Sequence, residues 1–249
     1  MTLAIMSALL DKQRGLLEQL SNPRRVQRAG RTFWCGQWCG HEVVLVLTKI
    51  GKVAAATTTT ALIEAFGVER VVFTGVAGGV GAGVKVGDVV VAEAFIQHDM
   101  DSSPLFPRYE IPLYGRATLA CDPGLTALLL EATKAGVATV GKHFHHSDLL
   151  QPANVHRGLI ASGDRFIASA DAAMQVLGGL QSGGFAALAV EMEGAAVAQV
   201  CHDYGVPFAA VRTISDRADA SAHVDFAAFV GQVASPYALA IASQFVKML

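Results

Sequence analysis

Charge is scarce in this sequence. Asp, Glu, Lys and Arg make up only 16% of its 249 residues, and the formal net charge is −2. No basic surplus exists to neutralise a phosphate backbone, which argues against nucleic acid as a partner. The one local exception, Arg24, Arg25, Arg28 and Arg31, reads as a solvated turn and strand edge. Long apolar runs are missing too. None approaches the roughly 18–20 residues of a membrane span, and the start Met1–Met6 lacks the basic region of a signal peptide. Cysteine is sparse: Cys35, Cys39, Cys121 and Cys201 form no disulfide framework, and the Cys35/Cys39 spacing has no second pair to complete a zinc site. Aromatic residues are only 7%. These absences leave a cytoplasmic globular protein with reduced thiols as the default.

What is abundant is small and apolar. Hydrophobic residues reach 52%, much of that share being Ala and Val, and 25 glycines accompany them. Such a chain buries a large core, and small side chains suit close packing of helices on a parallel sheet. Strand-like and helix-like segments alternate. Leu3–Ser7 reads as a buried strand, Ala8–Leu20 as a helix stopped by Ser21-Asn22-Pro23, and Phe33–Trp38 with Val43–Leu47 as a hairpin turning at Gly40. Val53–Phe66 reads as a helix closed by Gly67. Strands follow at Val71–Phe73, Asp88–Ala92, Val155–Ser162, Phe185–Val190 and Phe208–Ile214. Helices are expected over Pro123–Ala135, Ala170–Leu177, Glu191–Tyr204 and Phe226–Met248, the last interrupted by Pro236. His98–Arg116 has three prolines and little periodicity, so it reads as a long functional loop. The pattern predicts an α/β fold: one domain over residues 1–249, with a mixed, mainly parallel central sheet flanked by helices.

Four clusters carry chemistry. A glycine-rich turn, Gly75–Gly83, follows a buried strand, but no lysine and serine or threonine open a helix after it, so it is not a phosphate loop. Val190-Glu191-Met192-Glu193-Gly194 puts two carboxylates at a strand-to-helix junction, where ligands bind in open α/β sheets. Helix N-terminal acids favoured by the macrodipole explain one of those glutamates more easily than two. Arg212-Thr213-Ile214-Ser215-Asp216 brings charge to another strand exit; an Arg–Asp surface pair is its structural alternative. Ile160–Ile167 leads from a strand through a polar turn to Phe166, a ring able to stack on a flat ligand or simply to pack.

Together and in this order the clusters resemble the nucleoside phosphorylase-like superfamily, and most closely its 5′-methylthioadenosine/S-adenosylhomocysteine nucleosidases. Ile50–Ala55, Thr74–Gly79, Val86–Asp88, Ser162–Ile167, Val190–Glu193 and Arg212–Asp216 with Ala218 and Asp219 carry the resemblance, which spans nearly the whole chain. It implies hydrolysis of an adenine nucleoside without a metal or other cofactor, in a homodimer whose second subunit helps shape the 5′ pocket. It implies Asp216 as the acid meeting purine N7, and Glu193 as the group holding the ribose hydroxyls and stabilising an electron-poor sugar. Met192 would line the ribose pocket, Phe166 would stack on the purine with Ile167 reading its edge, and Phe226 would cover the 5′ substituent. Arg212 would lie on the water side of the sugar, Ala77 and Gly78 would form the floor, and Val190 and Ser215 complete the binding set.

Two positions depart from the family pattern. Lys12 stands where the family has the glutamate that activates water, with Asp11 beside it as a substitute, and Val76 replaces the family's serine. A cationic lysine accepts no proton unless burial depresses its pKa. This leaves three readings: a nucleosidase with a rearranged water site, a phosphorylase whose Lys12 and Arg14 receive phosphate, and a nucleoside-binding homologue of low activity. A metal-binding module at Lys142-His143-Phe144-His145-His146 is the competing reading from a different class.

Overall fold

The computed structural model describes residues 1–8, 15–141, 153–218 and 229–249. The N-terminal strand β1 (Thr2–Ser7) lies in the middle of one sheet with β4 (His41–Leu47) on one side and β5 (Arg70–Gly79) on the other, both parallel to it. Its residues are buried on both faces: Ala4 and Met6 in one core, Leu3 and Ile5 in the other. That explains a continuous apolar run in place of an alternating one.

From β4 the sheet extends through an antiparallel hairpin to β3 (Arg31–Trp38) and then to the edge strand β2 (Ser21–Arg28). The hairpin turns at Cys39 and Gly40, both with positive φ, as the sequence predicts. Arg24, Arg25 and Arg28 read from sequence as a solvated turn and strand edge, and they do lie on an edge strand; the sequence does not delimit the full strand from Ser21, because Pro23 reads there as a stop. The side chains of β2 are almost all exposed, so no buried face leaves an alternating signature, and proline is tolerated on an edge strand.

On the other side of β1 the sheet closes on itself. Strand β5 pairs with β10 (Phe208–Asp216), β10 with β6 (Val89–Gln97), β6 with β8 (Val155–Ser162), β8 with β9 (Ala187–Glu191), and β9 returns to β5. A short strand, β7 (Thr118–Ala120), adds to β6. The β5–β10, β6–β8 and β8–β9 pairings are parallel, while β10–β6 and β5–β9 are antiparallel. Closure satisfies backbone groups that an open sheet would leave unpaired.

Helices cover both faces. Helix α1 (Lys52–Phe66) and helix α4 (Gly194–Tyr204) pack on one face through Ala55, Leu62, Ala195 and Cys201. Helix α2 (Pro123–Gly141) and the C-terminal helix α5 (Ser235–Met248) pack on the other through Leu129, Ala132, Ile241 and Phe245. Helix α3 (Ala170–Ser182) lies over a third cluster with Ile167 and Ala187. Gly67 closes α1 at φ 58°, the left-handed geometry that favours glycine. Thr57, Thr58 and Thr59 each return their hydroxyl to the carbonyl four residues earlier, which lets Thr58 and Thr59 sit in the core.

Several boundaries differ from expectation. Strand β5 continues to Gly79, so the first half of the glycine-rich segment is strand, not turn. The junction Glu191–Glu193 precedes its helix, which starts at Gly194. Pro236 does not end the last helix: helical backbone runs on through it, but the ladder changes immediately before it, from a π-helical turn at Val230–Ala234 to α5. The first part of the helix expected from Ala8, the segment Lys142–His146 and the start of the helix expected from Phe226 lie outside the described residues.

Candidate active site

Register brings three strand ends to one point. Gly78 on β5 pairs with Val190 on β9 and with Asp216 on β10. The β5–β10 register slips between Ile214 and Asp216, leaving Ser215 as the extra residue of a bulge. A bulge re-aims side chains, and here both Ser215 and Asp216 line the cavity. The Ser215 hydroxyl donates to Asp216 Oδ2 at 2.7 Å, and the Ala218 N–H donates to Oδ1 at 2.8 Å. Both carboxylate oxygens are thus aimed. A Cβ on Gly78 would sit 2.9 Å from Asp216 Oδ1, so glycine is what lets the carboxyl lie against the strand.

The cavity is lined by Ala8, Ile50, Val76, Ala77, Phe166, Ile167, Val190 and Met192 as its apolar share, with Arg165, Glu191, Glu193, Arg212, Ser215 and Asp216 as its polar groups. A largely apolar cavity with convergent polar groups suits a small ligand of mixed character. Phe166 is half-exposed at the mouth, as a ring waiting for a stacking partner would be.

The two glutamates of the Val190–Gly194 junction differ. Glu191 accepts from Arg212 Nη2 at 2.7 Å and Nε at 3.2 Å, from the Gly194 N–H at 2.9 Å, and from the Ser162 hydroxyl. Arg212 is 1% exposed; its Nη1 also donates to the carbonyls of Phe73 and Val211, and its guanidinium lies 4.1 Å from the centre of the Phe73 ring. Arg212 therefore pairs with Glu191 and not with Asp216, and the pair is buried, not superficial.

Glu193, also buried, accepts at Oε1 from the Gly51 N–H at 2.9 Å and has no cationic hydrogen-bond partner among the described residues. Burial pushes its carboxyl up to about 7, with the Glu191 charge adding to the rise; the Gly51 N–H and the Arg212 charge oppose it. A perturbed acid in a cleft marks a functional site.

A model of the phosphorylase superfamily matches residues 2–247. The chain belongs to that superfamily. Among its relatives, the 5′-methylthioadenosine/S-adenosylhomocysteine nucleosidase of Bacillus thuringiensis (strain Al Hakam) is 37% identical over 234 residues, 94% of each chain. In structure, this phosphorylase-superfamily chain is similar to the same nucleosidase from Neisseria meningitidis, solved with methylthio-immucillin-A (33% identity, TM-score 0.84, 100% of this chain and 99% of that one). It is equally similar to the futalosine hydrolase of Helicobacter pylori (33% identity, TM-score 0.84, 100% and 98%). The resemblance read from the motifs, and the α/β fold it implies, hold.

Of the superfamily residues expected from sequence, Ala77, Gly78, Phe166, Ile167, Val190, Met192, Glu193, Arg212, Ser215 and Asp216 all line this one cavity. Asp11, Lys12 and Phe226 lie outside the described residues. Sequence reasoning gave no role to Ala8, Ile50, Arg165 or Glu191, which also line it. The doubled glutamate was the available signal for Glu191; its partner is 21 positions away on another strand.

Proposed function

We propose that the protein hydrolyses the N-glycosidic bond of adenine nucleosides, 5′-methylthioadenosine and S-adenosylhomocysteine, releasing adenine. One observation carries this reading: the carboxyls of Glu193 and Asp216, on different strand ends, line a single apolar slot beside Phe166. Bond cleavage leaves an electron-poor sugar and an electron-rich base. Ionised Glu193 beside the ribose accepts from its hydroxyls and stabilises the positive sugar, while Asp216, aimed by Ser215 and Ala218, hands a proton to N7 as the purine leaves. Phe166 stacks on the purine; a water then adds to the anomeric carbon, becoming the hydroxyl of the released sugar, and the proton it sheds balances the one Asp216 gave up.

The curated relative and the Neisseria structure are named for these two substrates, and the second holds an analogue of one of them. The likeness to futalosine hydrolase keeps a 5′-extended nucleoside within the same reading. A cytoplasmic homodimer serving methionine salvage completes it. The dimer is supported by exposed apolar side chains near the mouth, Ile50, Val53 and Phe166, and on the long loop, Leu105 and Leu113. No helix among the described residues is long and apolar enough to cross a membrane.

Incubation with methylthioadenosine, with and without inorganic phosphate, tests the reading. Adenine release independent of phosphate is the expected result. Release only with phosphate, accompanied by a sugar 1-phosphate, would make the protein a phosphorylase. Binding without release would make it a nucleoside-binding homologue. Lys12→Glu is expected to raise the rate, because it restores a carboxylate where the family activates water.

A further inference from the structure

Beside the cavity, and outside its lining, Lys52, Asp99 and Asp164 form a closed ring of contacts. Lys52 Nζ donates to Asp99 Oδ1 at 2.6 Å and to Gln97 Oε1 at 2.9 Å. Asp99 Oδ2 accepts from the Asp164 backbone N–H at 2.9 Å, and Asp164 Oδ1 accepts from the Lys52 backbone N–H at 2.7 Å. The ring joins three parts of the chain: the first residue of α1, the start of the long loop after β6, and the turn after β8. Burial alone would raise the Asp99 carboxyl, but its hydrogen bonds to Lys52 and Asp164, with the Lys52 charge, hold it below the usual range.

Each end of the ring continues into the site. The peptide before Lys52 is Gly51, whose N–H is on Glu193. The residues after Asp164 are Arg165, Phe166 and Ile167, the cavity wall. Gly51 itself packs against Asp164: a Cβ there would lie 3.2 Å from Asp164 Oδ1.

We propose that Asp99 is a positioning residue for glycoside cleavage, fixing the Gly51 N–H on Glu193 and the Phe166 wall in one frame by holding Lys52 and Asp164 at once. Asp99 touches no substrate in this account. Its effect runs through Gly51, which sets where the Glu193 carboxyl points, and through Asp164, which sets where the purine shelf stands. The inference rests on the roles proposed above for Glu193 and Phe166.

The charged groups acting on Glu193 are Glu191 and Arg212; the Gly51 N–H is its hydrogen-bond donor, and the Met192 backbone also favours its ionised form. Removing the Asp99 charge would, through space, make Glu193 easier to ionise. Losing the Gly51 contact would make it harder. The two effects have opposite signs, so a titration separates them.

The experiment follows the Glu193 carboxyl by infrared titration, its band assigned by its loss in Glu193→Gln, in the parent chain, Asp99→Asn and Asp99→Ala. The parent midpoint is expected near pH 7. It is expected to rise by about half a unit to one unit in Asp99→Ala. It rises less in Asp99→Asn, whose side-chain oxygen still accepts from Asp164. In parallel, kcat/KM for methylthioadenosine falls by roughly 10–100-fold in Asp99→Ala and is partly rescued in Asp99→Asn. An unchanged or lowered midpoint in folded variants overturns the proposal, whatever the rate does. If Asp99→Ala does not fold, the sign of the shift in Asp99→Asn decides. If the parent chain releases no adenine yet the midpoint rises, the activity reading fails while Asp99 still positions Glu193.

Discussion

Two glutamates of the cavity lining, Glu191 and Glu193, put the same side chain in opposite circumstances. Glu191 is saturated: a guanidinium, a hydroxyl and the Gly194 N–H at the start of α4 occupy its oxygens. Two residues on, Glu193 has one backbone N–H and is pushed up to about 7. Glu191 fixes the strand ends and caps a helix; Glu193 is left with lone pairs for a ligand. Buried charge that is fully paired organises structure, and buried charge that is underpaired does chemistry.

Breaking the Glu191–Arg212 pair should have the largest effect. Arg212→Met leaves Glu191 buried without its counter-charge, and stability is expected to fall by about 3–5 kcal/mol in urea unfolding. A double replacement, Arg212→Met with Glu191→Leu, should recover most of that loss, since an apolar pair of similar volume needs no counter-charge. No recovery would mean that this part of the site is held by the other hydrogen bonds around Glu191. Removing the other carboxyl of the cavity, Asp216, should affect rate and not stability. Asp216→Asn is expected to cut adenine release by roughly 10²–10⁴-fold with unfolding little changed. Unchanged release would remove Asp216 as the acid.

Glu193 itself sharpens the comparison through pH. Its folded value, about 7, lies above its ordinary 4.5, so between those limits the folded state holds the extra proton. Stability therefore falls as pH rises through this window, by on the order of 3 kcal/mol from this group. Glu193→Gln should flatten that slope and unfold at higher denaturant than the parent at pH 8, while losing activity. The kcat/KM profile of the parent should fall on its acid side near pH 7, because the ribose hydroxyls need the ionised form. An acid limb near 4.5 would place Glu193 outside the reaction. The smallest expected effect is Ser215→Ala, which removes one of the two hydrogen bonds aiming Asp216; adenine release should drop by about 2–10-fold, as loss of one such bond implies.

The parts visible in the sequence were those with local causes. The β3–β4 hairpin follows from strand patterns around Gly40, and α1 ends at Gly67 because glycine takes the left-handed cap. The site was legible as short motifs at strand exits, and these do meet in one cavity. What could not be seen depends on pairing between distant segments. Closure of β5, β10, β6, β8 and β9 needs registers that no local pattern encodes. The bulge at Ser215 is a mismatch between two strands, and the Glu191–Arg212 pair links positions on β9 and β10. The extent of exposed β2 was not legible for the complementary reason: without a buried face, its residues have no period to read, and only a solvated strand edge shows.

The central claim is that Glu193 and Asp216 address the same nucleoside from two sides. A crystal structure with a non-hydrolysable adenine nucleoside tests it most directly. The account predicts Asp216 within about 2.6–3.2 Å of purine N7, Glu193 at the same range from the ribose hydroxyls, and Phe166 against the base. A nucleoside seated with its sugar away from Glu193, or bound outside this cavity, would contradict it.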